Sequence, residues 1–275
     1  MPRKPRTYLP GIPSHVVQRG NNRAATFFAE TDYQFYLECL DDALRRYRVA
    51  LHAYVLMTNH VHLLMTPTTT DGVSRVMQSV GRRTVQYINL TYRRTGTLWE
   101  GRHKASLVSA EDYLLTCYRP LSIHMGELNP VAACMVNAPG DYRWSSYAHH
   151  TLGRTSPLIE DHALYLALGV TADSRQFAYH ELFRTALEAK DIHAIRTSTQ
   201  YGTPLGNRRF SAEIELALGR RLGRTRRGRP PVKCVPDGTA GGLRAARATL
   251  THPTLIKEPP KESVIQNGRR QGCEN

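Results

Sequence analysis

Two short apolar runs, Ala53–Met57 and Val61–Met65, are separated only by Thr58-Asn59-His60. Runs of this length and composition, interrupted by three polar residues, predict consecutive strands joined by a tight turn. Strand side chains alternate with a period of two, so His60 and His62 project from one face, one pleat apart. Two imidazoles so placed can hold one divalent ion. Paired histidines in strands also occur without any ion, but two polar rings inside an otherwise apolar run need partners if they are buried.

The remaining elements follow from periodicity and turn chemistry. Ser14 to Ala29 reads as a strand, a turn built on Gly20-Asn21-Asn22-Arg23, and a short return. Thr31 is placed to cap a helix running to about Arg48, in which Tyr33, Tyr36, Leu37, Leu40 and Leu44 form an apolar stripe. Thr66-Pro67 closes the hairpin, and a helix is predicted from about Gly72 to Arg93, with Val73, Val76, Met77, Val80, Val85, Ile88 and Leu90 as its apolar positions. A fourth strand opens at Trp99 and continues through Val108. Ser109-Ala110-Glu111-Asp112, a capping-box variant, then starts another helix. The order β, α, β-hairpin, α, β, α predicts an α+β sandwich of one antiparallel sheet with helices on one face, leaving the opposite face for a metal and its substrate.

Charge narrows the partner. The 275 residues carry 37 Lys and Arg against 23 Asp and Glu, a net charge of +14, which favours a polyanion, with nucleic acid as first candidate. An anionic membrane surface is the competing source of attraction. No apolar stretch is long enough to span a bilayer, however, and no secretory signal opens the chain, so the sequence reads as cytoplasmic and nucleoid-associated. Five cysteines at positions 39, 117, 134, 234 and 273 form no C-x-x-C pair and read as reduced thiols. Arg19, Arg82 and Arg83 are candidate nucleic-acid contacts. Trp99, Arg102 and Lys104 add a ring and two cations around Gly101, a combination suited to single strands. Residues 220–230 form a cationic run punctuated by Gly and Pro, in which Arg226, Arg227 and Arg229 suit backbone contact. Helical patterns at about 161–168, 173–190 and 211–222 precede that run. The organisation read from these shifts is a domain over 1–150, a basic helical extension over 151–230 and a disordered tail over 231–275.

The stretch Tyr54–Leu64 resembles the HUH signature (His, hydrophobe, His) of the single-tyrosine, IS200-like transposases, in the branch called REP-associated tyrosine transposases. Four further blocks are similar to that family in its own order: His15–Arg23, Gly96–Ser106, Glu127–Val131 and Asp141–Tyr147. The likeness covers roughly residues 8–150. It implies a ferredoxin-like or RRM-like core, Mg²⁺ or Mn²⁺ as cofactor, and cleavage and rejoining of single-stranded DNA folded as a hairpin, by a monomer or homodimer. It also implies a third ligand, Asn129 before Pro130, beside His60 and His62.

One residue of the family pattern is missing. The family places its nucleophilic tyrosine four residues before that asparagine, one helical turn away. Counting back from Asn129 gives Met125, and aligning from Tyr118-Arg119 gives Pro120. A thioether cannot replace a phenol. Tyr118 is the nearest phenol, but eleven residues from Asn129 span about 16 Å along a continuous helix. Three alternatives stay open: Pro120 and Gly126 break the helix and let Tyr118 reach the metal, the protein binds hairpin DNA without cutting it, or the metal activates water in place of a phenol.

Overall fold

The computed structural model describes residues 6–111, 113–114, 135–184 and 188–222. Four strands and two long helices alternate as β1 (Ser14–Arg19), α1 (Glu30–Tyr47), β2 (Val49–Met57), β3 (His60–Pro67), α2 (Gly72–Thr91) and β4 (Lys104–Leu107). The sheet order is β2-β3-β1-β4 with antiparallel neighbours, the arrangement that the β-α-β-β-α-β order predicts. Hydrophobic burial drives it. Val16, Leu56, Val61, Leu63, Leu64 and Met65 are fully buried, each side chain of this kind contributing about 2 kcal/mol.

The apolar stripe of α1 packs as expected: Tyr36 and Leu40 are fully buried, Tyr33 and Leu44 nearly so. Its cap differs from expectation. The helix begins at Glu30 with Ala29 as its N-cap, two residues before Thr31, and Asp32 in the first turn reaches back, its carboxylate accepting from the backbone N–H groups of Phe28 (2.7 Å) and Ala29 (3.0 Å). A carboxylate at this end also suits the helix dipole. The helix α2 buries Val73, Val76, Met77, Val80 and Ile88, while Leu90 at its end is exposed.

Two further details depart from the sequence reading. No return strand follows the Gly20 turn. Instead Thr26 and Phe27 N–H both donate to Thr58 O, and Asn21 N–H donates to Leu98 O, so this loop spends its backbone groups on the hairpin turn. Gly20 is required there, because a Cβ would lie 2.2 Å from Ala24 O. The strand expected from Trp99 begins only at Lys104. The preceding residues follow the end of β1 through a single bridge of Trp99 with Gly20 and a bond from Glu100 N–H to Arg19 O (2.9 Å).

The later chain supplies α3 (Tyr147–Leu152), α4 (Ala163–Leu166), α5 (Ala172–Arg184), α6 (Ala189–Tyr201) and α7 (Arg208–Leu218). Short segments pair with one residue at each edge of the sheet. Ser145 bridges Val55 beside β2, and Leu205 bridges Val108 beyond β4, which covers part of each edge against pairing with another chain. The described residues belong to one compact unit, Met1–Arg226. Among them no helix is long and apolar enough to cross a membrane, and Cys39 is a buried free thiol. Tyr118, Pro120, Met125, Asn129, Arg226, Arg227, Arg229, the other cysteines and the tail from 231 lie outside the described residues.

Candidate metal and nucleic-acid site

Register places the paired histidines in the middle of the sheet. His60 stands opposite Arg19 and Met57, and His62 opposite Val17 and Val55. Residues opposite one another share a face, so His15, Arg19, Lys104 and Ser106 belong to the histidine face. Val16, Gln18 and Leu63 point the other way, toward α2.

The two imidazoles meet edge to face with ring centroids 5.0 Å apart. His60 is fully buried, and its tautomer is fixed by its neighbour. The Asn59 amide nitrogen donates to Arg23 O (2.9 Å), which turns the amide oxygen toward His60, and His60 Nδ1–H donates to that oxygen at 2.6 Å. Nε2 therefore carries a lone pair. It is buried and makes no hydrogen bond. A ring oriented through one nitrogen with the other left open is the usual preparation of a metal ligand.

His62 is oriented by a residue that the sequence reading left out of the site. His15 Nε2 and His62 Nδ1 share a hydrogen bond of 3.0 Å, with the rings stacked at 14°. Behind them His15 Nδ1 meets Thr199 Oγ1 of α6 at 3.0 Å, and Thr199 Oγ1 lies 3.4 Å from Ser106 Oγ. Burial pushes the pKa values of His15 and His60 down to about 4 and holds that of His62 well below its ordinary 6.5, with Arg19 adding to the effect on His60, and His60, His15 and Arg19 to that on His62. All three rings are neutral at physiological pH, the form that binds a cation.

The cationic candidates divide between the two faces. Arg19 and Lys104 flank the histidines. Arg82 and Arg102 line a cavity on the α2 side, and Arg83 pairs with Asp42 across α1 and α2 (2.8 Å). Trp99 is 5% exposed and packs edge to face with Tyr36, so its indole offers an edge rather than a stacking face.

A second group of possible ligands, His149, His150 and Asp161, keeps its candidate atoms within 4.8 Å of one another. There Ser156 N–H donates to His149 Nδ1 (3.1 Å), so His149 carries its proton on Nε2 and donates it to Asp161 at 3.1 Å. That hydrogen-bonded pair is complete without an ion.

The family model described as "Transposase IS200 like" matches residues 10–117, the span from the turn before β1 past β4. Among curated proteins no match is found. The solved structure of a REP-associated tyrosine transposase bound to a REP hairpin is similar at 18% identity and a TM-score of 0.46, over 59% of this chain and 96% of that one. A putative transposase from Deinococcus radiodurans R1 is similar at 22% identity and a TM-score of 0.31, over 40% and 88%.

Proposed function

Starting from the match of residues 10–117 to the IS200-like transposase family model, we propose that the chain cleaves and rejoins single-stranded DNA folded as a hairpin. The carrying observation is His60 Nε2, a buried lone pair without a partner, set beside a second neutral imidazole on a face that also bears Arg19 and Lys104. In this reading residues 1–150 form the catalytic domain, and 151–230 a basic extension.

His60 and His62 would hold the divalent cation, with Asn129 as the third ligand on the family pattern. Two imidazoles favour Mn²⁺ over Mg²⁺, which prefers oxygen donors. Bound there, such an ion would polarise the scissile phosphate and offset charge developing on it. The chain's own groups do the rest. When the shared proton sits on His62 Nδ1, His15 Nε2 accepts it, His15 Nδ1–H donates to Thr199, and His62 Nε2 is left open for the cation. Arg19 and Lys104 steady neighbouring phosphates. The Tyr118 phenol oxygen bonds to phosphorus as the P–O3′ bond breaks. The phenol gives up its proton and the departing 3′ oxygen gains one, leaving a 5′-phosphotyrosine and a free 3′-hydroxyl. One phosphoester replaces another, so the step reverses without ATP.

A second reading rests on a specific departure from the family pattern: Met125 or Pro120 stands where its tyrosine belongs. The protein then recognises the hairpin and leaves it intact. Labelled single-stranded hairpin DNA incubated with the protein and Mn²⁺, then run under denaturing conditions, separates the two. A covalent adduct that Tyr118→Phe abolishes establishes the nuclease. Binding without an adduct establishes the second reading, cleavage without one indicates attack by water, and failure to bind any hairpin removes the proposal.

A further inference from the structure

On the face of the sheet that carries α2 there is a cavity of about 790 Å³, lined by α2 and the irregular segment around Trp99 to His103. It shares an end of the sheet with the histidines but not a face: Gln18, on its wall, pairs with Val61, between His60 and His62. Two polar atoms of its lining side chains are buried and make no hydrogen bond, the Trp99 Nε1–H and Gln18 Oε1. Their side chains are only 5% and 8% exposed. Burying a donor and an acceptor without partners is costly, so a wall that keeps one of each suits a ligand that answers both.

Gly81 keeps that wall open. A Cβ built there lies 3.9 Å from Trp99 Nε1 and 4.0 Å from Gln18 Nε2, with no other atom nearer. Glycine is otherwise a poor choice in a helix interior. The lining includes no carboxylate, and Arg82 and Arg102 join it as exposed cations. A donor and an acceptor beneath cations match the edge of a nucleobase on a phosphate backbone.

Resting on the reading that this chain binds single-stranded DNA, we propose that the cavity holds one unstacked base, its edge on Trp99 Nε1–H and the Gln18 amide, with Arg82 and Arg102 on the adjoining phosphates. It is a second DNA site, on the face opposite the histidines. A strand entering it at the shared end of the sheet is anchored close to the histidine pair.

The test is equilibrium binding of the full chain, by fluorescence anisotropy in EDTA so that no cleavage intervenes. Labelled strands of about 12 nucleotides, within the span such proteins cover, carry adenine, cytosine, thymine or mixed sequence, and one strand is abasic throughout. At least one base-bearing strand binds about tenfold more tightly than the abasic strand. Gly81→Leu, which fills the cavity, and Trp99→Phe, which keeps an aromatic ring but removes the N–H, both erase that advantage. Far-UV circular dichroism of both variants, unchanged from that of the unaltered protein, controls for folding. Equal affinity of the unaltered protein for abasic and base-bearing strands overturns the pocket while strand binding stands. A base advantage that survives in both Gly81→Leu and Trp99→Phe overturns its location. No binding of any strand overturns the functional reading and the pocket together.

Discussion

Asn59 decides which nitrogen of His60 carries the proton. Its amide is held by Arg23 O on one side and receives His60 Nδ1–H on the other, so the lone pair that matters sits on the buried Nε2. Replacing Asn59 with alanine leaves both His60 nitrogens without a partner and lets the ring turn or exchange tautomers. Loss of such an orienting partner lowers metal affinity about 10- to 100-fold. Calorimetric titration of Asn59→Ala with Mn²⁺ should show that loss, while Asn59→Asp, which keeps an acceptor for His60 but loses the donor to Arg23 O, should show a smaller one. Equal affinity in all three proteins would mean that His60 is no ligand. The residue pattern made His60 and His62 visible because alternation in a strand is a local rule. His15 was not visible as their partner, since its role depends on strand register and on Thr199, 184 residues away.

Elements show the same division between local and long-range information. The hairpin, α1 and α2 were legible because each carries its own apolar period. The helix α6 was not: its segment, Ala189–Tyr201, has only Ile192 and Ile195 as large aliphatic residues, and it is defined by what it docks against. The start of α1 was misread by two residues, Thr31 for Ala29, because Thr is a capping type whereas Ala29 has no capping side chain, and only the folded chain turns the Asp32 carboxylate back to the Phe28 and Ala29 N–H groups and brings Tyr92 OH to it (2.9 Å). Asp32→Ala removes the acceptor for two backbone N–H groups and that phenol at once, in a site 1% exposed. We expect a loss of about 1–3 kcal/mol in urea unfolding, with the fold retained. Thr199→Val keeps the shape of α6 but withdraws the hydroxyl from His15, and should cost about 1–2 kcal/mol. Thr199→Ser should restore most of it. If valine and serine behave alike, the hydroxyl does not hold α6 to β1.

At the scale of the whole molecule, the buried histidines set how the fold responds to acid. Burial lowers the pKa values of His15, His52 and His60 to about 4 and of His103 and His150 to about 3, and holds His62 well below its ordinary 6.5. Between about pH 6.5 and 4 the unfolded chain binds protons that the folded one refuses, so stability is fully present above that window and falls as pH drops through it. Each imidazole contributes a slope of about 1.4 kcal/mol per pH unit. Several acting together are comparable with the roughly 5–15 kcal/mol that holds a typical domain together. The urea midpoint should therefore drop steeply from about pH 6.5 downward, above the range where ordinary carboxylates titrate. A flat midpoint down to about pH 5 would show that these rings are hydrated. The same experiment isolates the metal pair, because a cation binds only neutral imidazole and stabilises the fold it binds. Saturating Mn²⁺ should raise the midpoint near neutral pH in the unaltered protein but not in His60→Ala. The increment should persist to about pH 5, since rings kept neutral by burial need no deprotonation to accept the ion, and should vanish near pH 4.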